Sequence, residues 1–338
     1  MSELSPRGPL TAFLLEHVRD RVRALPPGPP PDVADPLGDD DLQLALYLCY
    51  ELHFRGLPGV DERWEWDPGL LAWRRELEDA FEGALLERVA WPREVPGAAD
   101  MDVALRGILD AAGPEEPSLS RHLERTGTLD QFREFVVHRS AYHLREADPH
   151  SFAIPRIDGR PKAALVEIQA DEYGGGDPER IHARLFAATM RALGLDAAYA
   201  AYVERLPGPT LATVNVMSLF GLHRRWRGAI VGHLALFEMG SAVPNRRYGN
   251  GLRRLGADPR ALDFFDEHVE ADAIHESIAA VDLAGGLAAQ EPGLTGQILF
   301  GAMASDELDR RWAQVLLDAW EAGGTSLLEP LARAGAAA

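Results

Sequence analysis

Three polar residues, His268, Asp272 and His275, are spaced so that one face of a helix would carry all of them. At about 100° per residue they fall within an arc of about 60°. Phe265 and Ala279 continue this face, so the polar residues stand where a buried helix normally carries Leu or Val. Two imidazoles and a carboxylate converging from one helix suit a borderline-hard metal ion such as iron. The alternative is an exposed helix on which the spacing is incidental.

Two further carboxylates are predicted at the ends of helices. Thr128-Leu-Asp-Gln131 is a capping-box pattern, and the following helix should end near Ala147, before Asp148-Pro149. Glu146 would then lie in its last turn. Glu238 ends an apolar stripe on a long helix predicted over residues 211–239, and a buried carboxylate there needs a compensating partner.

A tight corner is predicted between Glu172 and His182. The helix that ends at Glu172 is broken by Tyr173-Gly-Gly-Gly176, and Asp177-Pro178 is typical of the start of the next helix, Glu179 to Leu193. The glycines allow the two backbones to approach closely. A phosphate-binding loop is a poorer interpretation, because no Gly-Lys-Ser/Thr follows.

Together these positions supply four carboxylates and three imidazoles: Glu146, Glu172, His182, Glu238, His268, Asp272 and His275. Such a set is typical of a two-iron site, in which carboxylates bridge and imidazoles occupy terminal positions. Four carboxylates around one divalent ion would leave two buried negative charges, whereas two ferrous ions would leave none. Zinc fits less well, because closed zinc sites often use thiolates and Cys49 is the only cysteine.

The composition indicates which partners the protein can have. The chain of 338 residues has a formal net charge of −19, which disfavours nucleic acid and anionic membranes and favours a small molecule. No signal peptide or membrane anchor is recognised, and the single cysteine excludes an intrachain disulfide, so we expect a cytoplasmic protein. We also expect a homodimer.

The periodicity of apolar residues predicts an all-α fold. We divide the chain into a flexible, proline-rich arm (residues 1–36), N-terminal accessory helices (37–125) and a main helical bundle (126–330). Within the bundle, residues 241–258 are predicted to be a turn-rich connection, and residues 295–322 a final amphipathic helix.

The pattern of ligands resembles a known family. Glu172-x9-His182, Glu238 and His268-x3-Asp272-x2-His275, with the texts Glu172-Tyr-Gly-Gly-Gly176 and His268-Val-Glu-Ala-Asp272, are similar to the haem-oxygenase-like diiron oxidases and oxygenases. The resemblance covers about residues 125–290 strongly. It implies that the seven residues bind two irons, with Glu146 as the additional carboxylate of the N-oxygenating branch. Other carboxylates near Glu146 are Glu134, Asp148 and Glu167.

The resemblance also implies a fold and a reaction. The fold would be a haem-oxygenase-like helical bundle that loads two Fe(II) ions and binds O2 as a peroxo-diferric species, with Glu146, Glu172 and Glu238 as catalytic carboxylates. The irons would be returned to the ferrous state by an external reductase or chemical reductant. The favoured reaction converts a small, possibly cationic amine or guanidine to a hydroxylamine, nitroso or nitro product in natural product biosynthesis. Oxidative C–C cleavage or decarboxylation of an amino acid or fatty acid is the alternative.

Other functions fit the sequence less well. Haem degradation needs one axial histidine and a basic rim, and a thiaminase-like hydrolase needs a cysteine in the pocket, whereas Cys49 lies in an apolar run. A non-enzymatic iron-binding or interaction scaffold remains open. The histidines interpreted as structural or surface residues are His138, His143, His150, His223 and His233. The arginines that could bind a substrate carboxylate, or form surface ion pairs, are Arg246, Arg247 and Arg254.

Overall fold

The computed structural model describes residues 4–92, 95–111, 113 and 118–332, without the side chains of residues 271–274. Its regular elements are all helical, and these ranges contain no strand, which confirms the predicted all-α class. No helix in the described ranges has the length and apolarity needed to cross a membrane. The α-helices are α1 (Pro9–Val18), α2 (Asp40–Glu51), α3 (Pro68–Val89), α4 (Met101–Asp110), α5 (Leu119–Arg125), α6 (Leu129–His143), α7 (Asp148–Ser151), α8 (Gly159–Glu172), α9 (His182–Ala192), α10 (Gly208–Leu222), α11 (Arg227–Gly240), α12 (Ala242–Arg254), α13 (Asp263–Ser277), α14 (Gly286–Gln290) and α15 (Thr295–Glu321). A π-helical segment, Ile278–Gly285, follows α13 directly.

Helices α11 and α15 pack closely against each other, and this packing depends on two glycines. A methyl group at Gly232 of α11 would overlap with the carbonyl of Ile298. One at Gly301 of α15 would overlap with the carbonyl of Ala229. The two backbones are therefore in direct contact, which fixes α11 and the position of Glu238 at its C-terminal end.

Several helices begin directly after a residue whose side chain caps the first turn. The Asp39 carboxylate accepts hydrogen bonds from two backbone N–H groups at the start of α2, and the Asp67 carboxylate accepts one from Leu70 N–H at the start of α3. At the start of α6, Thr128 and Gln131 form the predicted capping box. These caps satisfy backbone donors that have no partner within the helix.

Two predictions about the middle of the chain are wrong. The helix expected over residues 211–239 divides into α10 and α11, because His223 adopts an extended conformation and lets Trp226 bury against Phe300. The connection expected over residues 241–258 is largely helix α12. This helix is stabilised by tertiary contacts, since Gly251 packs on the carbonyl of Leu123 and Arg254 donates hydrogen bonds to carbonyls at the end of α5.

The described part of the predicted arm packs against the rest of the protein. Helix α1 buries Leu10 and Leu14 in the common hydrophobic core, and Trp73 Nε1 donates a hydrogen bond to the carbonyl of Pro29 at 3.1 Å. The division into arm, accessory helices and bundle stays a prediction, although residues from all three regions share one core.

Acid is expected to destabilise the fold through His138, which is buried between the hydroxyls of Thr210 and Ser326. Burial lowers the pKa of His138 to about 3, whereas an unfolded histidine has a pKa of about 6.5. The unfolded chain therefore binds the proton first. The free energy of unfolding keeps its full value above about pH 6.5, and below that pH it decreases by roughly 1.4 kcal/mol per pH unit.

Urea unfolding of the metal-free protein at neutral pH and at about pH 5 measures this effect. From pH 6.5 to pH 5, wild type should lose roughly 2 kcal/mol more than His138→Gln, which takes up no proton. Equal losses in the two proteins would show that His138 does not carry the acid sensitivity.

Candidate metal centre

The six predicted ligands whose side chains are described are all buried and form two groups. The first group contains Glu146, Glu172, His182 and His268, and the second contains Glu172, Glu238 and His275. Within each group, every residue offers a ligand atom within 4.8 Å of the others. Glu172 belongs to both groups. The side chain of the seventh predicted ligand, Asp272, lies outside the described residues.

Glu146 reaches the site from a turn rather than from a helix. Helix α6 ends at His143, earlier than predicted, and Glu146 follows in the turn before α7. Its neighbour Arg145 is buried and forms an ion pair with Glu51 at 2.9 Å, which anchors the turn to α2. The Nδ1 atom of His143 lies 2.6 Å from Glu146 Oε1, so this histidine holds a candidate ligand in place.

The other carboxylates considered in place of Glu146 are engaged elsewhere or exposed. Glu134 accepts hydrogen bonds from Trp320 and Ser326. Asp148 accepts a hydrogen bond from the hydroxyl of Tyr173, and Glu167 is exposed. Glu146 is therefore the carboxylate of this region that contributes to the groups.

The corner between Glu172 and His182 forms much as the glycines indicate. Gly174, Gly175 and Gly176 have φ values of 77°, 60° and 94°, which side chains rarely adopt. Helix α9 begins at His182, not at Glu179 as predicted, after a short 3-10 turn. The chain reversal brings His182 Nδ1 to 3.0 Å from Glu172 Oε2.

Helix α13 presents its two histidines in fixed orientations. His268 Nδ1 donates a hydrogen bond to the carbonyl of Phe264 at 2.8 Å, so Nε2, 3.5 Å from Glu146 Oε1, is the nitrogen that faces the site. His275 Nδ1 lies 3.1 Å from Glu238 Oε2, and its Nε2 lies 2.9 Å from Asp171 Oδ2. Burial lowers the pKa of His275, but the carboxylates of Glu238 and Asp171 outweigh it and raise the pKa to about 9.

The chemistry of these donors fits a bound cation. Glu146 Oε2 is buried without a hydrogen-bond partner, and Glu172 Oε2 and His182 Nδ1 face each other at 3.0 Å without forming a hydrogen bond. Leaving buried polar and charged atoms without partners costs several kcal/mol, and a metal ion between them removes that cost. Carboxylate oxygens together with imidazole nitrogens are a donor set that iron accepts readily.

A family model described as an iron-containing redox enzyme matches residues 133–310, which is more than half of the chain and contains every residue of both groups. The chain belongs to this family. The match and the helical architecture confirm the predicted haem-oxygenase-like all-α fold.

A curated relative of this iron-containing redox enzyme is nitrosourea synthase from Streptomyces achromogenes subsp. streptozoticus. The two sequences are 24% identical over 185 residues, which is 54% of this chain and 39% of the relative. The chain therefore aligns with well under half of the relative's length.

The iron-containing redox enzyme has a cavity of about 200 Å³ beside the two groups. Glu146, Glu172, Glu238 and His268 line it, so a molecule inside would lie against the candidate ligands. Tyr142 also lines the cavity, and burial, assisted by the surrounding carboxylates, raises its pKa well above the ordinary value. Its phenol therefore stays protonated and can donate a hydrogen bond.

Sequence reasoning missed Asp171 and the contact made by His143. Asp171 is 58% exposed, and it immediately precedes Glu172, so α8 turns its side chain about 100° away from that of Glu172. The polar cluster at the end of α8, Gln169, Asp171 and Glu172, was the available signal. Only the position of α13 shows that Asp171 reaches His275.

Asp171→Asn is expected to weaken metal binding at the second group without removing it. The carboxylate orients the imidazole of His275, and losing such an outer partner typically lowers metal affinity by about 10- to 100-fold. Competition with a chelator measures the affinity. Asp177→Asn is the control, because Asp177 caps the neighbouring 3-10 turn without contacting either group. Equal affinities in both variants would contradict the role of Asp171.

Proposed function

We propose that this chain is a non-haem diiron oxygenase that oxidises the nitrogen of a small amine or guanidine. The observation that carries the proposal is the membership of Glu172 in both groups of potential ligands. A carboxylate has two oxygens and can bridge two ions. One ion would be held by Glu172 together with Glu146, His182 and His268. The other would be held by Glu172 together with Glu238, His275 and Asp272.

Charge also favours two ions over one. Three buried carboxylates are present in the two groups, and Asp272 is proposed as the fourth. One ferrous ion would leave two negative charges in the interior, whereas two ferrous ions balance all four. An unbalanced buried charge is costly, so the pair is the arrangement that the donor set supports best.

Two ferrous ions held here would supply the electrons for O2 activation, and an external reductase or chemical reductant would restore them. The chain's own residues bind and orient the substrate and protect the site. His143 fixes one oxygen of Glu146. Tyr142 and Phe237, which pack edge to face at 5.6 Å, form an apolar wall of the cavity and limit water beside the ligands.

Two observations favour nitrogen as the atom oxidised. The relative carries the name nitrosourea synthase, and a nitrosourea contains an oxidised nitrogen. Glu146, which by its place in the sequence pattern resembles the additional carboxylate of N-oxygenating members, is buried among the candidate ligands. We propose a hydroxylamine, nitroso or nitro product.

The test uses iron-loaded protein, a reductant and a panel of amines, guanidines, amino acids and fatty acids. An amine or guanidine should accelerate O2 consumption, and isotopically labelled O2 should place oxygen on its nitrogen. A product that has lost carbon would instead establish oxidative C–C cleavage. If no compound in the panel accelerated O2 consumption while iron was bound, the result would favour an iron-binding scaffold and overturn the proposal.

A further inference from the structure

One serine in the cavity wall is buried without a hydrogen-bond partner. Ser305 of α15 is 3% exposed and lines the cavity, and no described residue forms a hydrogen bond with its hydroxyl. Buried serine hydroxyls usually bond to a carbonyl of their own helix, as Ser140 does with the carbonyl of Val137 at 2.7 Å. The free hydroxyl of Ser305 therefore indicates a ligand in the cavity.

Ser305 lies opposite Tyr142, on the side of the cavity that holds the candidate ligands. Helices α6 and α15 run antiparallel, and Arg139 of α6 donates a hydrogen bond to Asp309 of α15 at 3.3 Å. Tyr142 lies one turn beyond this contact on α6, and Ser305 lies one turn beyond it, in the same direction, on α15. Burial, together with carboxylates of both ligand groups, raises the pKa of Tyr142, so its phenol is close to the candidate ligands. A nitrogen bonded to Ser305 would therefore lie near them as well.

The rest of the cavity offers no unpaired charge to a substrate. Outside the two ligand groups, the described charged residues that line the cavity are Arg139, Asp306 and Asp309. Arg139 pairs with Asp309, and Arg310 pairs with Asp306 at 3.1 Å. The proposed irons would balance the carboxylates of the ligand groups. An ammonium ion would therefore be buried without a counter-ion, which is unfavourable.

The remaining walls are largely apolar and leave room for a group the size of one ring. Phe135 and Tyr248 line the cavity with ring centroids 4.5 Å apart, and Leu234 and Phe265 line it too. Its volume of about 200 Å³ exceeds that of an engineered apolar cavity of about 150 Å³ that binds benzene. An aryl group or a short alkyl chain attached to the nitrogen would therefore fit.

We propose that Ser305 accepts a hydrogen bond from the nitrogen that is oxidised, and that the substrate is an amine bound in its uncharged form with an apolar group of about one ring. The inference rests on the proposed function and adds a substrate class to it. An uncharged amine keeps the lone pair at which nitrogen is oxidised, and a hydroxyl acceptor holds an N–H group while leaving that lone pair free. Ser305 is then a specificity-determining residue.

Calorimetric titration of anaerobic, iron-loaded protein with aniline and with toluene tests the role of Ser305. The two compounds have nearly the same shape, but only aniline has N–H donors. Ser305→Ala should weaken aniline binding about fivefold, the typical effect of one lost hydrogen bond, and leave toluene binding unchanged or tighter. Ser140→Ala also removes a buried serine hydroxyl and should bind both compounds as wild type does.

The pH dependence of benzylamine binding tests the charge state of the bound amine. Benzylamine is an alkyl amine and is largely protonated at about pH 7 and about pH 8. Its affinity should therefore rise about tenfold between these two pH values if only the uncharged form binds. Aniline is uncharged at both, so its affinity should stay constant, which controls for titration of the protein.

The inference would be overturned if wild type bound no aniline, or bound benzylamine equally at both pH values. It would also be overturned if Ser305→Ala left aniline binding unchanged, or weakened aniline and toluene equally. Circular dichroism and iron content are measured on every variant. A protein that binds no iron contradicts the proposed function, whereas iron-loaded protein that fails these binding tests contradicts only this inference.

Discussion

Glu172→Ala is expected to lose both irons and, with them, substrate-dependent O2 consumption. Glu172 is the residue shared by the two groups, so its removal affects both proposed ions together. Removing one member of a buried charge cluster typically costs about 3–5 kcal/mol. That cost corresponds to a loss of metal affinity of roughly a hundred- to several-thousandfold. Metal analysis after gel filtration and an oxygen electrode measure the two effects.

The matched control for this prediction is Glu167→Ala. Glu167 is an exposed glutamate on the same helix, α8, so its replacement removes the same charge from the same element without touching the site. The control should bind iron and consume O2 as wild type does. If Glu172→Ala retained two irons per chain, Glu172 could not be the residue that links them.

His275→Ala is expected to keep one iron and lose substrate-dependent O2 consumption. His275 belongs only to the second group, whereas the first group retains Glu146, Glu172, His182 and His268. The rate of a reaction that needs both irons should fall by at least about a hundredfold. Losing one member of a buried charge cluster costs at least about 3 kcal/mol, which weakens binding of the second iron by that factor. Iron content and O2 consumption, measured on one preparation, show whether the two losses occur together.

His122→Ala is the control for this substitution, because His122 lies outside both groups and stacks on Trp320. It should keep two irons and full O2 consumption. If His275→Ala still bound two irons, or bound none, the assignment of His275 to one ion only would be wrong.

The sequence predicted best which candidate ligands come together where spacing along a short stretch of chain determines geometry. His268 and His275 share a face of α13 because of helical periodicity alone. Glu172 and His182 meet because three glycines with positive φ reverse the chain between them. In both cases the deciding information lies within about ten residues of chain.

Features that depend on distant contacts could not be predicted in this way. The break at His223 interrupts an apolar pattern that continues across it, and it follows from the packing of Trp226 on α15. Helix α12 carries polar residues and glycines that indicate turns, yet it forms because Gly251 fits against α5. These outcomes depend on neighbouring elements that the local pattern does not encode.

The cavity is a further case of this kind. Asp306 and Asp309 read as part of the polar face of α15, and nothing in the sequence distinguishes them from exposed aspartates such as Asp318. Their position beside Arg139 depends on the rotation of α15 relative to α6. Side chains of α15 that line the cavity were therefore harder to predict than side chains that could bind the metal.

The central claim is that two irons share Glu172 within one chain. Iron analysis combined with Mössbauer spectroscopy, on protein loaded with isotopically enriched Fe(II) and then exposed to O2, tests it most directly. We expect two irons per chain that become ferric and magnetically coupled to each other. One iron per chain, or two ferric ions without coupling, would contradict it.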